Sequence, residues 1–245
     1  LSTYPNAYSN KAPVGINFST ASQGANPNGI AWDGNFFWVL FRQSGGNLFK
    51  YNSSGVYQGA SIGMSNWGTD VKGVVWDGTN FTYIGGTYMS KYTAAGNYTG
   101  LYSNIASQTT SARGMAWDGT YYYVVEHGGS RNVFKYNSSM VYQSVAFSVN
   151  SETTDPRAIT WDGTYFWVTS STSNNKAFKY NSSGVYQNES FSLSDTYPEG
   201  IVSKGGGDSS LFVSGQTLDK VVEYKSANGV ASVSNLGGQN YVRVA

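Results

Sequence analysis

The stretch that decides the fold runs from Trp161 to Gln187 and reads WDGTYFWVTSSTSNNKAFKYNSSGVYQ. It is written again, with changes, as WDGNFFWVLFRQSGGNLFKYNSSGVYQ from Trp32 and as WDGTYYYVVEHGGSRNVFKYNSSMVYQ from Trp117. Self-similarity at a fixed period marks a repeat architecture. The WDG triplets begin at Trp32, Trp76, Trp117 and Trp161, spaced by 44, 41 and 44 residues. A second landmark, Lys or Glu followed by Tyr, falls at Lys50-Tyr51, Lys91-Tyr92, Lys135-Tyr136, Lys179-Tyr180 and Glu223-Tyr224. The chain therefore carries five copies, near residues 29–64, 73–106, 114–150, 158–194 and 200–236. The fifth lacks WDG: GIVSKGGGDSSLFVSG from Gly200 stands where GIAWDGNFFWVLF stands in the first.

Each copy reads as four short strands separated by Gly, Asn, Asp and Ser turns, and no window shows a useful helical stripe. Four antiparallel strands in some 40 residues are the unit of a β-propeller blade. The expectation is an all-β propeller of five four-stranded blades in one domain, residues 1–245, with six blades the alternative. The unit ITWDGTYFWVTSSTSNNKAFKYNSSGVYQNESFSL resembles the NHL-type propeller repeat, whose strands likewise run apolar, Asp-Gly turn, apolar, alternating. It is more similar still to the WDG…KYNSSGVYQ repeats of secreted and phage-associated proteins. The resemblance spans roughly residues 14 to 236. It implies the propeller fold and leaves function open, because propellers serve many unrelated functions.

The segment VGINFSTASQGANPNGIAWDG aligns with QSVAFSVNSETTDPRAITWDG, Phe18 with Phe147 and Pro27 with Pro156, both at an offset of 129. Residues 14–20 therefore read as an outermost strand that completes the last blade and seals the ring, leaving no long edge. Near the C-terminus, VASVSNL and NYVRV are two more strand candidates, the second running into a C-terminal strand at 237–245. They either join a composite last blade or begin a sixth. Phe37, Phe81, Tyr122, Phe166 and Phe212 are expected in equivalent or near-equivalent places, packed between blades. The small residues of GIAW, GVVW, GMAW and AITW are expected where blades crowd the axis.

Composition narrows the function classes. Apolar residues make up 40% of the 245 and charged residues only 12%, with a net charge of +1. Such a chain builds a core, yet it lacks the basic patch of a nucleic-acid binder. No run approaches a membrane span, and LSTYPNAYSNKAPVG shows no basic region followed by an apolar one, so no signal peptide is expected. The absence of cysteine excludes disulfides and thiolate chemistry. A surface of Ser, Thr, Asn, Gly and Tyr points to an extracellular or virion setting.

The repeated residues read as architecture. In WDG, Asp forms an Asx-type turn and Gly tolerates positive φ; a ring of sugar-stacking tryptophans is the competing reading. Asn-x-Ser/Thr occurs at Asn17, Asn52, Asn80, Asn97, Asn137, Asn181 and Asn188. Three of these, Asn52, Asn137 and Asn181, sit in one repeated turn, where Asn and Ser serve the backbone. Glu126 and His127 are neighbours on a strand and point apart, so they are not expected to act as a pair. No metal, cofactor or catalytic set is expected.

Function is expected where the copies disagree, in the loops between strands two and three and in the links to the next blade. The candidate ligand-binding residues there are Arg42, Trp67, Asp70, Arg113, Glu126, His127, Arg131, Arg157, Tyr197 and Glu199. Trp67, between Asn66 and Gly68, is suited to stacking on a sugar or to plugging the channel. These features point to a non-enzymatic, lectin-like module that binds a glycan or another cell-surface ligand, without nucleic acid or membrane insertion. The alternative is an assembly protein of a virion or surface layer that associates with copies of itself.

Overall fold

The Asp-Gly turn that follows every WDG tryptophan folds the chain back after six residues, and the same meander is then repeated around an axis. The computed structural model describes residues 11–42, 46–64, 70–172, 175–205, 210–226, 234–236 and 239–241. Strand β1 (Lys11–Ser19) comes first. The first blade is β2 (Pro27–Trp32), β3 (Phe36–Phe41), β4 (Asn47–Asn52) and β5 (Tyr57–Gly63). The second is β6 (Val71–Trp76), β7 (Asn80–Gly85), β8 (Tyr88–Thr93) and β9 (Tyr98–Asn104). The third is β10 (Ala112–Trp117), β11 (Tyr121–Glu126), β12 (Asn132–Asn137) and β13 (Tyr142–Ser148). The fourth is β14 (Pro156–Trp161), β15 (Phe166–Ser170), β16 (Lys176–Tyr180) and β17 (Tyr186–Ser192).

The fifth blade takes three strands from the end of the chain, β18 (Gly200–Ser203), β19 (Leu211–Gly215) and β20 (Lys220–Ser226), and its outermost from the beginning. Its order is β1-β20-β19-β18, with β1 antiparallel to β20. The protein is thus a five-bladed β-propeller sealed by its N-terminal strand, as the offset of 129 between Phe18 and Phe147 predicts. Pro13 is tolerated in β1 because an outermost strand does not need every donor. Of the C-terminal candidates only β21 (Ser234–Leu236) and β22 (Gln239–Tyr241) are described, and they pair with each other in a separate two-stranded sheet; residues 230–233, 237–238 and 242–245 lie outside the described residues.

Five buried apolar clusters hold the ring, one at each junction between blades. In the first four blades the WDG tryptophan pairs with an aromatic of the next strand: Trp32 with Phe37, Trp76 with Phe81, Trp117 with Tyr122, Trp161 with Phe166. In the fifth blade the place is near-equivalent, one residue along. There Ser203 faces Leu211, and Phe212 lies one residue further along, opposite Val202. Phe212 therefore occupies the place of Trp38 and reaches across the closing junction to Phe37, with ring centroids 4.6 Å apart. Trp38 to Phe81, at 5.1 Å, and Tyr123 to Phe166, at 4.6 Å, make the same contact elsewhere. Burying a phenylalanine such as Phe37 stabilises by about 1.5–3 kcal/mol, so each junction contributes substantially to a ring no single blade could maintain.

The inner strands β2, β6, β10, β14 and β18 line a channel, and their small residues are required there. A Cβ on Gly114 would stand 2.5 Å from the Ala158 Cα, and one on Gly73 would stand 3.0 Å from the Gly114 Cα. The channel opens on two faces. One carries the Asp-Gly turns; the other carries the β3–β4-type loops and the links between blades.

Candidate functional site

The turn face is built from residues already committed to structure. Asp33 accepts hydrogen bonds from the Asn35 and Phe36 amides with Oδ1 and from Trp38 Nε1 with Oδ2, at 2.7–2.8 Å. Asp162 does the same for Thr164, Tyr165 and Trp167. Asp118 serves Thr120, Tyr121 and the Tyr123 hydroxyl. The lysines of the Lys-Tyr landmark lie over rings of their own blade, Lys50 3.8 Å from Phe36, Lys135 3.7 Å from Tyr121 and Lys179 4.0 Å from Tyr165. The second blade has Asn80 and Thr82 where the others have aromatics, and there Lys91 pairs with Asp77 at 2.9 Å. Trp32, Trp76, Trp117 and Trp161 surround a cavity of about 90 Å³ at this mouth of the channel. In the fifth blade Lys204 places its ammonium 4.8 Å from the Trp32 ring. Asn52, Asn137 and Asn181 each accept two amides of their own turn, as at Ser54 and Val56.

The loop face differs. The inner strands start there, and one position recurs in every blade, directly before the small residue: Asn28, Lys72, Arg113, Arg157 and Glu199. These five ring the mouth. Asn28 is buried, donates to the Val71 carbonyl at 3.0 Å and accepts from Gln216 Nε2 at 2.8 Å. Lys72 lies 3.1 Å from Asp70, which in turn holds Arg42 at 3.1 Å. Arg157 bridges Asp155 and Glu199, each at 2.8 Å, and donates to Ser171 Oγ at 3.1 Å. Its guanidinium lies 5.5 Å from the centre of the Tyr197 ring. Asp155 also accepts from Ser171 Oγ, and its Oδ1 is 2.6 Å from His127 Nδ1. Among the described residues Arg113 has no hydrogen bond or ion pair; its charge is felt by His127 and Glu199.

Burial and these charges set the protonation states. Burial pushes His127 below the usual histidine range; Asp155 opposes this, while Arg113 and Arg157 push the same way. The imidazole is therefore neutral at pH 7. Burial alone raises the Asp155 carboxyl, but hydrogen bonds from Arg157 and Ser171 outweigh it and hold the group below its ordinary value. Glu199 is raised, because burial outweighs the attraction of Arg157 and Arg113.

The fold brings together Arg113, His127, Arg157, Tyr197 and Glu199 from three consecutive blades, and Arg42 and Asp70 join the ring through Lys72. Glu126 and Arg131 only flank it. Glu126 is buried and accepts from Ser130 Oγ at 3.3 Å. Arg131 ties its loop to the next link through the Thr154 carbonyl at 2.9 Å and the Asn150 side chain. Trp67 lies outside the described residues. The site also contains Asp155, Lys72, Asn28 and Ser171, which were not singled out from the sequence. The residue before the inner glycine or alanine, in PNG, VKG, ARG, PRA and PEG, is the signal that could have found two of them. Among the described residues no group of three or more His, Asp or Glu is placed to hold a metal ion.

Fold and site together define a five-bladed β-propeller with a polar, charge-lined mouth on its loop face. No protein-family model matches the chain, and no curated protein matches it. Among solved structures it is similar to glutaminyl cyclase of Myxococcus xanthus, with TM-score 0.68 and 10% identity over 86% of this chain and 94% of that one. It is also similar to streptogramin B lyase, with TM-score 0.50 and 16% identity over 82% of this chain and 65% of that one. A protein of unknown function from Bacteroides thetaiotaomicron VPI-5482 has TM-score 0.53 and 12% identity over 80% of this chain and 58% of that one. At these identities the likeness establishes the fold alone.

Proposed function

We propose that the protein is a non-catalytic binding module of WDG-repeat type, extracellular or virion-associated. It takes a glycan or another cell-surface ligand at the loop-face mouth. One observation carries the reading: variable residues of three blades, Arg113, His127, Arg157, Tyr197 and Glu199, meet at the axis, while the repeated residues are absorbed by turns and ring contacts. Tyr197 keeps 49% of its surface exposed there. Concave polar mouths with an exposed aromatic suit sugar recognition. The test is a glycan array and a cell-surface extract, with Tyr197→Ala as the control. Binding weakened by that change supports the module; no binding to either overturns it.

The non-catalytic part is tested at His127. With Asp155 2.6 Å away it has the separation of a general base and its orienting carboxylate. Turnover on a broad substrate panel, lost in His127→Ala, would make the protein an enzyme.

A second reading, assembly with copies of itself, is favoured by the rim. Val56, Val141 and Val185 hold the same position in three blades and are 58%, 57% and 58% exposed. Discrete monomers in light scattering would exclude it.

A further inference from the structure

We propose that the ligand of the loop-face mouth is a carboxylated glycan and that Arg113 seats its carboxylate. The inference rests on the reading of this mouth as a binding site and goes on to name the class of ligand.

Four of the five residues ringing the mouth are charged. Lys72 shares Asp70 with Arg42, and Arg157 is held by both Asp155 and Glu199. Arg113 is left without a partner among the described residues, although it is only partly exposed. The cations of the turn face are in a different condition: Lys50, Lys135, Lys179 and Lys204 sit on aromatic rings, and Lys91 on Asp77. Arg113 is thus a half-buried side chain on an inner strand beside the mouth, with a planar fork of donors that matches a carboxylate in two-point geometry.

Its surroundings suit a sugar bearing that carboxylate. His127, 34% exposed at its side chain, is uncharged at neutral pH and can exchange hydrogen bonds with hydroxyls. Tyr197 offers a flat apolar face, with the Arg157 guanidinium 5.5 Å from the ring centre. Carboxylate, hydroxyls and a ring face are the three features of a uronic or sialic acid.

The test uses the full chain on an array of matched neutral, carboxylated, carboxyl-reduced and sulfated glycans, followed by calorimetry with the best binder. Carboxylated glycans are expected to bind in preference to their carboxyl-reduced counterparts. Arg113→Gln is expected to weaken them roughly 10- to 100-fold, in keeping with a charge-assisted hydrogen bond. Arg113→Lys should fall between, since it keeps the charge and loses the fork; it also carries the test if the glutamine variant melts early. Equal affinity for carboxyl-reduced glycans, an unchanged Kd in both Arg113 variants, or a preference for sulfated glycans would overturn the inference and leave the binding module standing. A failure to bind any glycan or extract would overturn the module itself.

Discussion

His127 Nδ1 stands 2.6 Å from Asp155 Oδ1, across the junction between the third and fourth blades. The two form a close pair without hydrogen-bond alignment, and among the described residues neither atom has a hydrogen-bonding partner. The histidine is shifted down chiefly by burial, and Asp155 is the group that limits the fall. Asp155→Asn is therefore expected to lower the His127 pKa further, and a titration followed by NMR reads this directly, since it is the single histidine of the chain. A rise on this change would contradict the assignment. The sign for stability follows. A base that is harder to protonate when folded binds fewer protons than the unfolded chain. Its contribution is full above the unfolded value near 6.5 and is lost as pH falls from there through the folded value.

The repeated NSSG turn holds a size exchange. Gly55, Gly96 and Gly184 sit at φ of +81°, +84° and +77°, and a Cβ on them would collide with Phe18, Ile62 and Phe147 of the preceding outer strand. In the third blade Met140 takes the glycine position at φ +60°, buried, and Ser103 stands where the large residue would be. Met140→Gly should cost about 1–3 kcal/mol through the void, and Ser103→Phe a similar amount through overpacking. The double variant should recover at least ~1 kcal/mol of the summed loss. A urea-unfolding cycle measures the coupling; strict additivity would show that the two positions do not meet.

Two glycines should fail for different reasons. Gly114→Ala places a methyl against the Ala158 backbone, which cannot give way, and is expected to cost about 1–3 kcal/mol or more. Gly119→Ala, at φ +98° with open space around it, carries only backbone strain, about 1–2 kcal/mol. Each kcal/mol lowers the thermal midpoint by roughly 2–4 °C in a chain of this size. Scanning calorimetry should rank Gly114 as the costlier site.

The Asp-Gly turns supply a fourth prediction. Asp162→Ala strands the Thr164 and Tyr165 amides and the Trp167 indole N–H, and is expected to cost about 1–3 kcal/mol. Asp162→Asn keeps an acceptor for the two amides and should cost less. Equal losses in chemical unfolding would mean that the indole bond to Oδ2, rather than the turn, holds this element.

The ring was legible because its signals are local and repeated. WDG and KYNSS mark strand ends, and the alignment of Phe18 with Phe147 exposes the closing strand. The one-residue offset of Phe212 was not legible because the fifth copy has lost the tryptophan that marks the register, and one residue of slip moves a side chain to the other face. The site was legible only as a set of variable loops. Asp155 lies in one of them, NSETTDP, but its pairing with His127 depends on a loop and a link from adjacent blades meeting, which no spacing in the chain encodes. The distinction between Arg113 and Arg157 is similar: both precede a small residue, and only the fold gives one its carboxylates and denies them to the other.

The central claim is that the repeats build the wheel and the loop-face mouth does the binding. Chemical-shift mapping with the strongest glycan of the array tests it most directly. The account predicts perturbation of the Arg113, His127, Arg157 and Tyr197 signals, with the indole N–H signals of Trp32, Trp76, Trp117 and Trp161 unmoved. Perturbation of those four indoles, with the loop face unmoved, would show that the repeated tryptophans are themselves the binding element and would contradict it.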